Sequence, residues 1–152
     1  MAVNVWTPLH EPIFLDIEAG MFCSLLQIPR FPRDVSFEEI SFTNSNFESM
    51  TPIRREQHAA GRYCLNCVIK KAEISDGKVS EDFPLTIHTK SRIKPVSISH
   101  CDSIAVAVLG LNYESIGVDI ESKDRTISTA ILDQFCSCLL YTSPSPRDRT
   151  RS

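Results

Sequence analysis

Two carboxylates, Asp119 and Glu121, lie two residues apart in the segment Gly-Val-Asp-Ile-Glu and could together bind a cation. In an extended strand, residues two apart project from the same side, so Val118 and Ile120 face the opposite way. Neighbouring carboxylates repel each other unless a cation lies between them, and Mg²⁺ prefers one or two such ligands together with phosphate oxygens. The spacing therefore indicates a magnesium site. The alternative is an exposed alternating strand, which often carries Asp-x-Glu without a metal.

Hydroxyl, imidazole and guanidinium groups elsewhere in the chain could bind phosphate. Ser99 and His100 are adjacent, and a hydroxyl and an imidazole both form hydrogen bonds with phosphate oxygens. Arg54 and Arg55 precede Arg62 by eight and seven residues, about two helical turns, so the three can point toward one region. With the two carboxylates, this set has the chemistry that a pyrophosphate with bound Mg²⁺ requires. A Ser-His pair by itself is more often structural or solvated.

A helix is predicted over residues 51–71, and it would carry the three arginines. Thr51 can cap the free N–H groups of the first turn, and Pro52 suits the first helical position. Gly61 costs a helix about 1 kcal/mol relative to alanine, so it indicates close packing or the approach of a ligand, unless it is merely tolerated. Apolar side chains recur at helical spacing and define one buried face. They are Ala60, Tyr63, Cys64, Cys67 and Val68.

A β-hairpin is predicted from the apolar segments that follow. Residues 95–100 lead into a strand at 104–109, a turn follows at 110–112, and residues 116–121 return as the second strand. This hairpin would present Asp119 and Glu121 on one side. A further helix is predicted to begin within residues 126–135.

Six cysteines raise the question of zinc or disulfides. Cys64 and Cys67 have zinc-like spacing, but a structural zinc site needs a second pair of ligands, and the close candidates are Cys136 and Cys138. We interpret the cysteines as free thiols, which are commonly buried. A small zinc-binding module that uses Cys64 and Cys67 is the weaker alternative.

Composition places the chain among ordinary globular proteins, with 152 residues, 42% of them hydrophobic and 23% charged. The formal net charge of −3 gives no reason to expect binding to nucleic acid or to an anionic membrane. No apolar run approaches the ~20 residues that span a bilayer. The first 18 residues are acidic and lack a basic stretch, so no signal peptide is indicated. We expect a cytoplasmic protein.

The tail at residues 138–152 differs in composition from the rest of the chain. It contains two Ser-Pro pairs and three arginines, and the apolar pattern of the preceding helix is lost. Residues 138–148 resemble the conceptual translation of a sequencing adaptor, a familiar contaminant of assembled reads. We therefore expect a non-native tail and a native protein that continues beyond residue 137. A native disordered basic tail is the alternative.

Three motifs occur in one order along the chain, and together they resemble those of a known enzyme family. They are Ala-Gly-Arg at residues 60–62 after Arg54 and Arg55, Ser-Ile-Ser-His-Cys at 97–101, and Gly-Val-Asp-Ile-Glu at 117–121. The family is the 4′-phosphopantetheinyl transferases of the surfactin and enterobactin type, and the siderophore-synthase branch is the most similar. The resemblance covers about residues 45–125. The loop before the second motif departs from the family, because it lacks the usual Trp-Pro and has Val96 where glycine is common.

The resemblance implies an α+β fold of two similar halves, a pseudo-dimer with coenzyme A in the cleft between them. Residues 1–94 would form the N-terminal subdomain, and residues 95–137 would begin the magnesium-binding C-terminal subdomain with its opening hairpin. Asp119 and Glu121 match the family's magnesium ligands. Lys90 or Arg92 is a looser match to a phosphate contact. The residues that match the coenzyme A contacts are Arg54, Arg55, Arg62, Ser99 and His100.

The family transfers the phosphopantetheine arm of coenzyme A to a serine of an acyl, peptidyl or aryl carrier protein and releases adenosine 3′,5′-bisphosphate. By this resemblance Asp119, Glu121 and His100 would be catalytic, Mg²⁺ would be the cofactor, and the protein would be a monomer. The family also uses a Lys-Glu pair on a later helix, and none follows Glu121 here. We therefore expect an enzyme when complete, with the present chain inactive. The alternative is a non-catalytic coenzyme-A-binding or scaffold protein.

Overall fold

The computed structural model describes residues 4–37, 46–80, 82–124, 126 and 128–130. These residues contain one antiparallel sheet and one long helix. The sheet order is β1-β2-β6-β5-β4-β3, and every pairing is antiparallel. The predicted α+β class is confirmed at this level. In chain order the elements are β1 (Ile13–Asp16), β2 (Met21–Gln27), a 3₁₀ turn (Phe47–Ser49), α1 (Pro52–Lys71), β3 (Lys78–Val79), β4 (Thr86–His88), β5 (Ile93–His100) and β6 (Ile104–Gly110).

The described residues up to position 121 belong to one compact unit. The boundary predicted between residues 94 and 95 falls within β5, and the division of a complete protein into two halves stays a prediction. Residues 131–135 of the predicted last helix lie outside the described residues, as do Cys136, Ser137 and the tail at 138–152 with Cys138. Among the described elements, no helix is long and apolar enough to cross a membrane.

Helix α1 forms where the local signals predict it. The Thr51 hydroxyl accepts a hydrogen bond from the Arg54 amide at 3.4 Å, and Pro52 occupies the first turn. Lys70 and Lys71 end the helix, where positive charge complements the helix dipole. The predicted apolar face is confirmed by its burial, which is complete at Ala60, Cys64 and Val68 and partial at Tyr63 and Cys67.

The sheet is apolar on both faces, and a different part of the chain covers each face. Helix α1 covers the face that includes Leu26, Ala105 and Leu109. Strand alternation puts Cys23, Val106 and Val108 on the opposite face. That second face is covered by the side chains of Ile116, Val118 and Ile120.

The predicted pairing of residues 104–109 with residues 116–121 is wrong. Strand β6 pairs with β5 along one edge and with β2 along the other, so neither edge remains for a returning strand. Residues 116–121 belong to no strand and lie across the face of the sheet instead. The hairpin of β6 is formed with β5, through a short turn at 101–103. A long-range partner, β2, decides this topology, and no local turn signal reveals it.

Gly61 marks a close approach between α1 and β5. A methyl group built on its Cα would lie 2.7 Å from Cγ2 of Ile98, far inside van der Waals contact. Ile98 is β-branched, so its Cγ2 cannot readily rotate away. Close packing is therefore the reason for glycine at this position of the helix.

A buried carboxylate, Glu56, ties the N-terminal segment to α1, and only 1% of the residue is exposed. Trp6 Nε1 donates to its Oε2 at 2.7 Å, and Arg33 Nε and Nη2 donate to Oε1 and Oε2 at 3.0 and 3.1 Å. Arg33 also donates to the Thr7 carbonyl at 2.9 Å. These charge-assisted bonds satisfy a carboxylate that burial alone would strongly destabilise.

We expect Gly61→Ala to destabilise the protein by up to about 2 kcal/mol. Overpacking a core costs roughly 1–3 kcal/mol, and alanine returns about 1 kcal/mol of helix propensity. In an Ile98→Ala background the obstructing methyl group is gone, so Gly61→Ala should stabilise the protein by up to about 1 kcal/mol. Urea unfolding of the four proteins measures both differences. Stabilisation by Gly61→Ala in both backgrounds would contradict the close contact.

Glu56→Gln should lower the free energy of unfolding by about 3 kcal/mol, the lower end for a broken buried ion pair. The lower end applies because the Arg33 side chain, 26% exposed, keeps partial access to water. The control is Glu48→Gln, which changes an exposed carboxylate 3.9 Å from Arg55 and should cost about 0–1 kcal/mol. Chemical denaturation compares the two variants, and equally small losses would show that the buried network contributes little.

Candidate functional site

A pocket of about 490 Å³ opens between α1 and the end of β5. Strand β4 begins opposite Pro95, and the residues of β5 that follow Pro95 border the pocket. The lining residues are Arg54, Gln57, His58 and Arg62 from α1, Phe83, Pro84 and Leu85 from the loop before β4, Val96, Ser97, Ile98 and His100 from β5, and then Ile116 and Gly117. The arginines of α1 therefore face the C-terminal end of β5 across this pocket.

The α1 residues of the pocket follow helical periodicity. Arg54, Gln57, His58 and Arg62 occupy positions i, i+3, i+4 and i+8, so they share one face of the helix. Gln57 and His58 are absent from the predicted site. The same spacing, counted from Arg54 in the sequence, identifies them.

Arg54 and His100 meet in the pocket. Arg54 Nη1 lies 2.5 Å from Nε2 of His100, so the guanidinium donates to an unprotonated imidazole nitrogen. Partial burial, then the Arg54 charge and His58, lower the pKa of His100 from its ordinary value, and Asp102 opposes them. The imidazole is therefore neutral near pH 7, which agrees with its role as acceptor.

Arg62 lines the same pocket, whereas Arg55 is turned toward the 3₁₀ turn before α1. Arg55 Nη2 donates to the Glu48 carbonyl at 2.6 Å, and its guanidinium carbon lies 5.7 Å from the centre of the Phe47 ring. The hydrogen bond and the cation–π contact hold the side chain there. Of the three arginines predicted to bind coenzyme A, Arg54 and Arg62 line the pocket. Arg55 instead contacts the 3₁₀ turn that precedes α1.

Ser99 lies on the other face of the sheet from His100, because neighbouring residues of a strand alternate. In the register with β6, Ser99 lies opposite Val106 and His100 lies opposite Ala105. The Ser99 hydroxyl donates to Oδ1 of Asp119 at 3.0 Å. The predicted phosphate-binding pair is thus divided, with His100 facing α1 and the pocket and Ser99 facing the carboxylate segment.

Residues 116–121, the carboxylate segment, keep the predicted alternation although they form no hairpin. Their three apolar side chains are half-buried, while Asp119 and Glu121 are exposed. Oδ1 of Asp119 accepts hydrogen bonds from the Ser99 hydroxyl and from the Ile120 amide, each at 3.0 Å. Such bonds orient ligating carboxylates in metal sites, and two accessible carboxylates suit Mg²⁺. The donor set fits magnesium with two protein ligands, and no group of three His, Cys, Asp or Glu side chains occurs in the part of the chain that the structure describes.

Cys64 lacks the surroundings of a zinc ligand. It is 0% exposed, and its Sγ lies 3.7 Å from the Ala105 carbonyl oxygen. Burial raises the pKa of the Cys64 thiol to about 12 and also raises the pKa of Cys67. Zinc binds the thiolate form, which this environment disfavours. The described cysteines, at positions 23, 64, 67 and 101, are free, in agreement with the interpretation as ordinary thiols.

Lys90 and Arg92 lie in the turn that joins β4 to β5, at the opposite end of β5 from His100. The Lys90 amide donates to Asp76 at 3.1 Å, and the Arg92 amide donates to the Thr89 hydroxyl at 3.0 Å. These bonds shape the turn, and they place both residues away from the end of β5 that borders the pocket.

Comparison of the chain with protein-family models, curated proteins and solved structures finds no match. Any assignment of function therefore depends on the residues of this chain and on how the structure arranges them. That arrangement consists of Arg54, Arg62 and His100 around one pocket, with Ser99 and Asp119 on the other face of the sheet.

We expect NMR titration of the His100 ring to give a pKa below the ordinary value of 6.5. Arg54→Met removes a neighbouring positive charge, so the pKa of His100 should rise toward that value. Arg55→Met is the matched control and should leave the pKa nearly unchanged, because Arg55 is held against the 3₁₀ turn. An unchanged pKa in Arg54→Met would contradict the contact between the two side chains.

The lowered pKa of His100 also determines whether the free energy of unfolding rises or falls with pH. The folded state binds the His100 proton less readily than the unfolded state, so this contribution to stability is present above about pH 6.5 and is lost as the pH falls through the lowered pKa.

Proposed function

We propose that this chain binds phosphate groups of coenzyme A in the pocket between α1 and β5, as part of a 4′-phosphopantetheinyl transferase. The convergence of Arg54, Arg62 and His100 on one pocket carries the proposal. Guanidinium groups bind phosphate strongly because they are always charged and present a fixed fork of donors. The same three residues match coenzyme A contacts of the family that the sequence resembles.

The dimensions of the pocket support a small-molecule ligand. A volume of about 490 Å³ lies within the range of such sites, roughly 300–1,000 Å³, and would hold part of coenzyme A. The lining combines cationic groups of α1 with apolar side chains such as Leu85 and Ile98. This combination suits a ligand that has phosphates joined to less polar groups.

Asp119 and Glu121 would hold Mg²⁺. When bound, the ion would neutralise negative charge on the pyrophosphate of coenzyme A. Ser99 holds the Asp119 carboxylate through a 3.0 Å hydrogen bond. Ile116 and Gly117 line the pocket, so the carboxylate segment begins where the phosphates are proposed to bind.

For an enzyme that contains this chain, we propose transfer of the phosphopantetheine group to a serine of a carrier protein. The serine oxygen forms a bond to the β-phosphorus while the bond to the bridging oxygen breaks, and adenosine 3′,5′-bisphosphate leaves. In the family that the sequence resembles, the glutamate of a Lys-Glu pair helps to activate the serine, and no such pair follows Glu121. Binding is therefore proposed for this chain, and transfer for a protein that also carries that motif.

The second candidate is a non-catalytic protein that binds coenzyme A in the same pocket, because the cationic groups that line the pocket support binding and do not by themselves imply transfer. Sequencing of the source DNA past codon 137 separates the two. A reading frame that continues into a Lys-Glu helix supports the enzyme, and a stop codon soon after that position supports the binding protein.

Calorimetric titration with coenzyme A and with adenosine 3′,5′-bisphosphate tests the pocket. Arg54→Ala and Arg62→Ala should each weaken binding by about 10-fold or more, because a hydrogen bond to a charged group contributes roughly 1.5–3 kcal/mol. Arg55→Ala is the matched control and should change Kd by less than about 2-fold, the usual effect of a substitution away from a site. Equal losses in all three variants would contradict the assignment of the pocket, as would a wild-type protein that binds neither ligand.

A further inference from the structure

Two serines of β5 hold the carboxylate segment at alternate residues. The Ser97 hydroxyl accepts a hydrogen bond from the Val118 amide at 3.2 Å, and the Ser99 hydroxyl accepts one from the Ile120 amide at 3.3 Å. Ser99 also donates to Oδ1 of Asp119 at 3.0 Å. The Val118 amide, which a neighbouring strand would normally pair, is thus satisfied by a side-chain hydroxyl, and the Ile120 amide is shared between the Ser99 hydroxyl and Oδ1 of Asp119, 3.0 Å away.

Strand geometry explains why serines can do this. Ser97 and Ser99 are two residues apart in β5, so both project from the face opposite α1. Val118 and Ile120 are also two residues apart in an extended segment, so their amides repeat at about the same distance as the serine hydroxyls. The backbone of β5 pairs with β6 in the plane of the sheet, and a hydroxyl reaches out of that plane.

The two serines differ in what they bind. Ser97 contacts a backbone amide of the segment, whereas Ser99 contacts both an amide and the Asp119 carboxylate. Because the Ile120 N–H is a donor, the single proton of the Ser99 hydroxyl is directed to Asp119. In this arrangement Ser99 has no proton left to donate to a phosphate, which is the role that the family resemblance implies for it.

We propose that Ser97 and Ser99 dock the carboxylate segment on the sheet, and that Ser99 is in addition a positioning residue for Asp119. Docking and positioning follow from contacts within this chain, and their effect on a divalent cation rests on the proposed function. One hydroxyl that binds both the Ile120 amide and the Asp119 carboxylate sets the backbone position and the side-chain direction together. A cation then meets an oriented oxygen instead of a freely rotating carboxylate.

Apolar packing of the segment makes this proposal testable without unfolding the protein. Ile116, Val118 and Ile120 pack against Cys23, Val106 and Val108 independently of the hydroxyls. Ser97→Ala and Ser99→Ala remove hydroxyls and leave this packing in place. Well-dispersed NMR spectra and wild-type near-UV circular dichroism of each variant confirm that it is folded.

The first test measures local order by NMR on the isotopically labelled full chain. Ser99→Ala should accelerate hydrogen exchange at the Ile120 amide by up to about 10-fold, because the amide loses one of its two acceptors and keeps Oδ1 of Asp119, and it should shift the Hα–Hβ couplings of Asp119 toward rotamer-averaged values. Ser97→Ala is the matched control, because it should accelerate exchange at Val118 and leave the Asp119 couplings unchanged. Ser99→Thr keeps a hydroxyl and should restore the wild-type couplings. Unchanged couplings in Ser99→Ala would overturn positioning, and unchanged exchange at both amides would overturn docking.

The second test uses Mn²⁺ alone as a paramagnetic probe of the two carboxylates. Ser99→Ala should weaken Mn²⁺ binding about 10-fold, as expected for the loss of a group that orients a ligand, while Ser97→Ala should change it less. Equal affinity of wild type and Ser99→Ala would overturn the link between positioning and the cation. If the wild-type protein binds no Mn²⁺, the magnesium part of the proposed function fails, and the couplings still decide whether Ser99 positions Asp119.

Discussion

Helix α1 packs against the centre of the sheet through small side chains, and the pocket depends on this contact. Small residues let the helix approach the strands closely, so that the Cys64 thiol reaches the Ala105 carbonyl at 3.7 Å and the Cys64 carbonyl accepts from Ser24 at 2.9 Å. The bare Cα of Gly61 extends the approach to β5. These contacts fix the distance of α1 from the sheet and its rotation about its own axis. They therefore determine where Arg54 lies relative to His100. The small residues involved, each 0–1% exposed, are Ala59, Ala60, Cys64, Ala105 and Ala107.

Local signals in the sequence predict helix α1 correctly. The predicted hairpin of residues 104–109 and 116–121 is wrong because a strand distant in the sequence pairs with β6 instead. The cap at Thr51 and the helical spacing of the apolar residues involve only residues close together in the sequence, so both can be recognised from the sequence alone. The partner of β6 is β2, and the register joins residues that are about 80 positions apart, such as Leu26 with Ala105. Two apolar strands and a turn therefore fit several topologies equally well. Glu56 shows the same limit, because no pattern in the sequence joins this residue to Arg33, 23 positions away, or to Trp6, 50 positions away.

The candidate site could be predicted in part, because residue types reveal chemistry and periodicity reveals faces. Arg54, Arg62 and His100 line one pocket, and the i, i+3, i+4 rule applied to the same helix would have added Gln57 and His58. Strand alternation, applied to Ser99 and His100, would have separated them across the sheet. The position of Arg55 could not be read from either rule. Its long side chain is held by a carbonyl and by the ring of Phe47 in the preceding turn, which only tertiary structure brings together.

The placement of residues 116–121 across the sheet, instead of within it, changes how a ligand and the protein would affect each other. A strand pairing would hold Asp119 through a backbone ladder, whereas two serine hydroxyls contribute about 1 kcal/mol each and the apolar side chains are only half-buried. The docked segment therefore has a modest opening free energy. A cation that binds Asp119 and Glu121 only in the docked form adds to that free energy by mass action. Whatever loosens the segment therefore lowers cation affinity in proportion to the fall in the docked fraction. Because Gly117 lines the pocket, a phosphate ligand and a cation would both act on this one segment, which provides a physical route for each to strengthen the binding of the other.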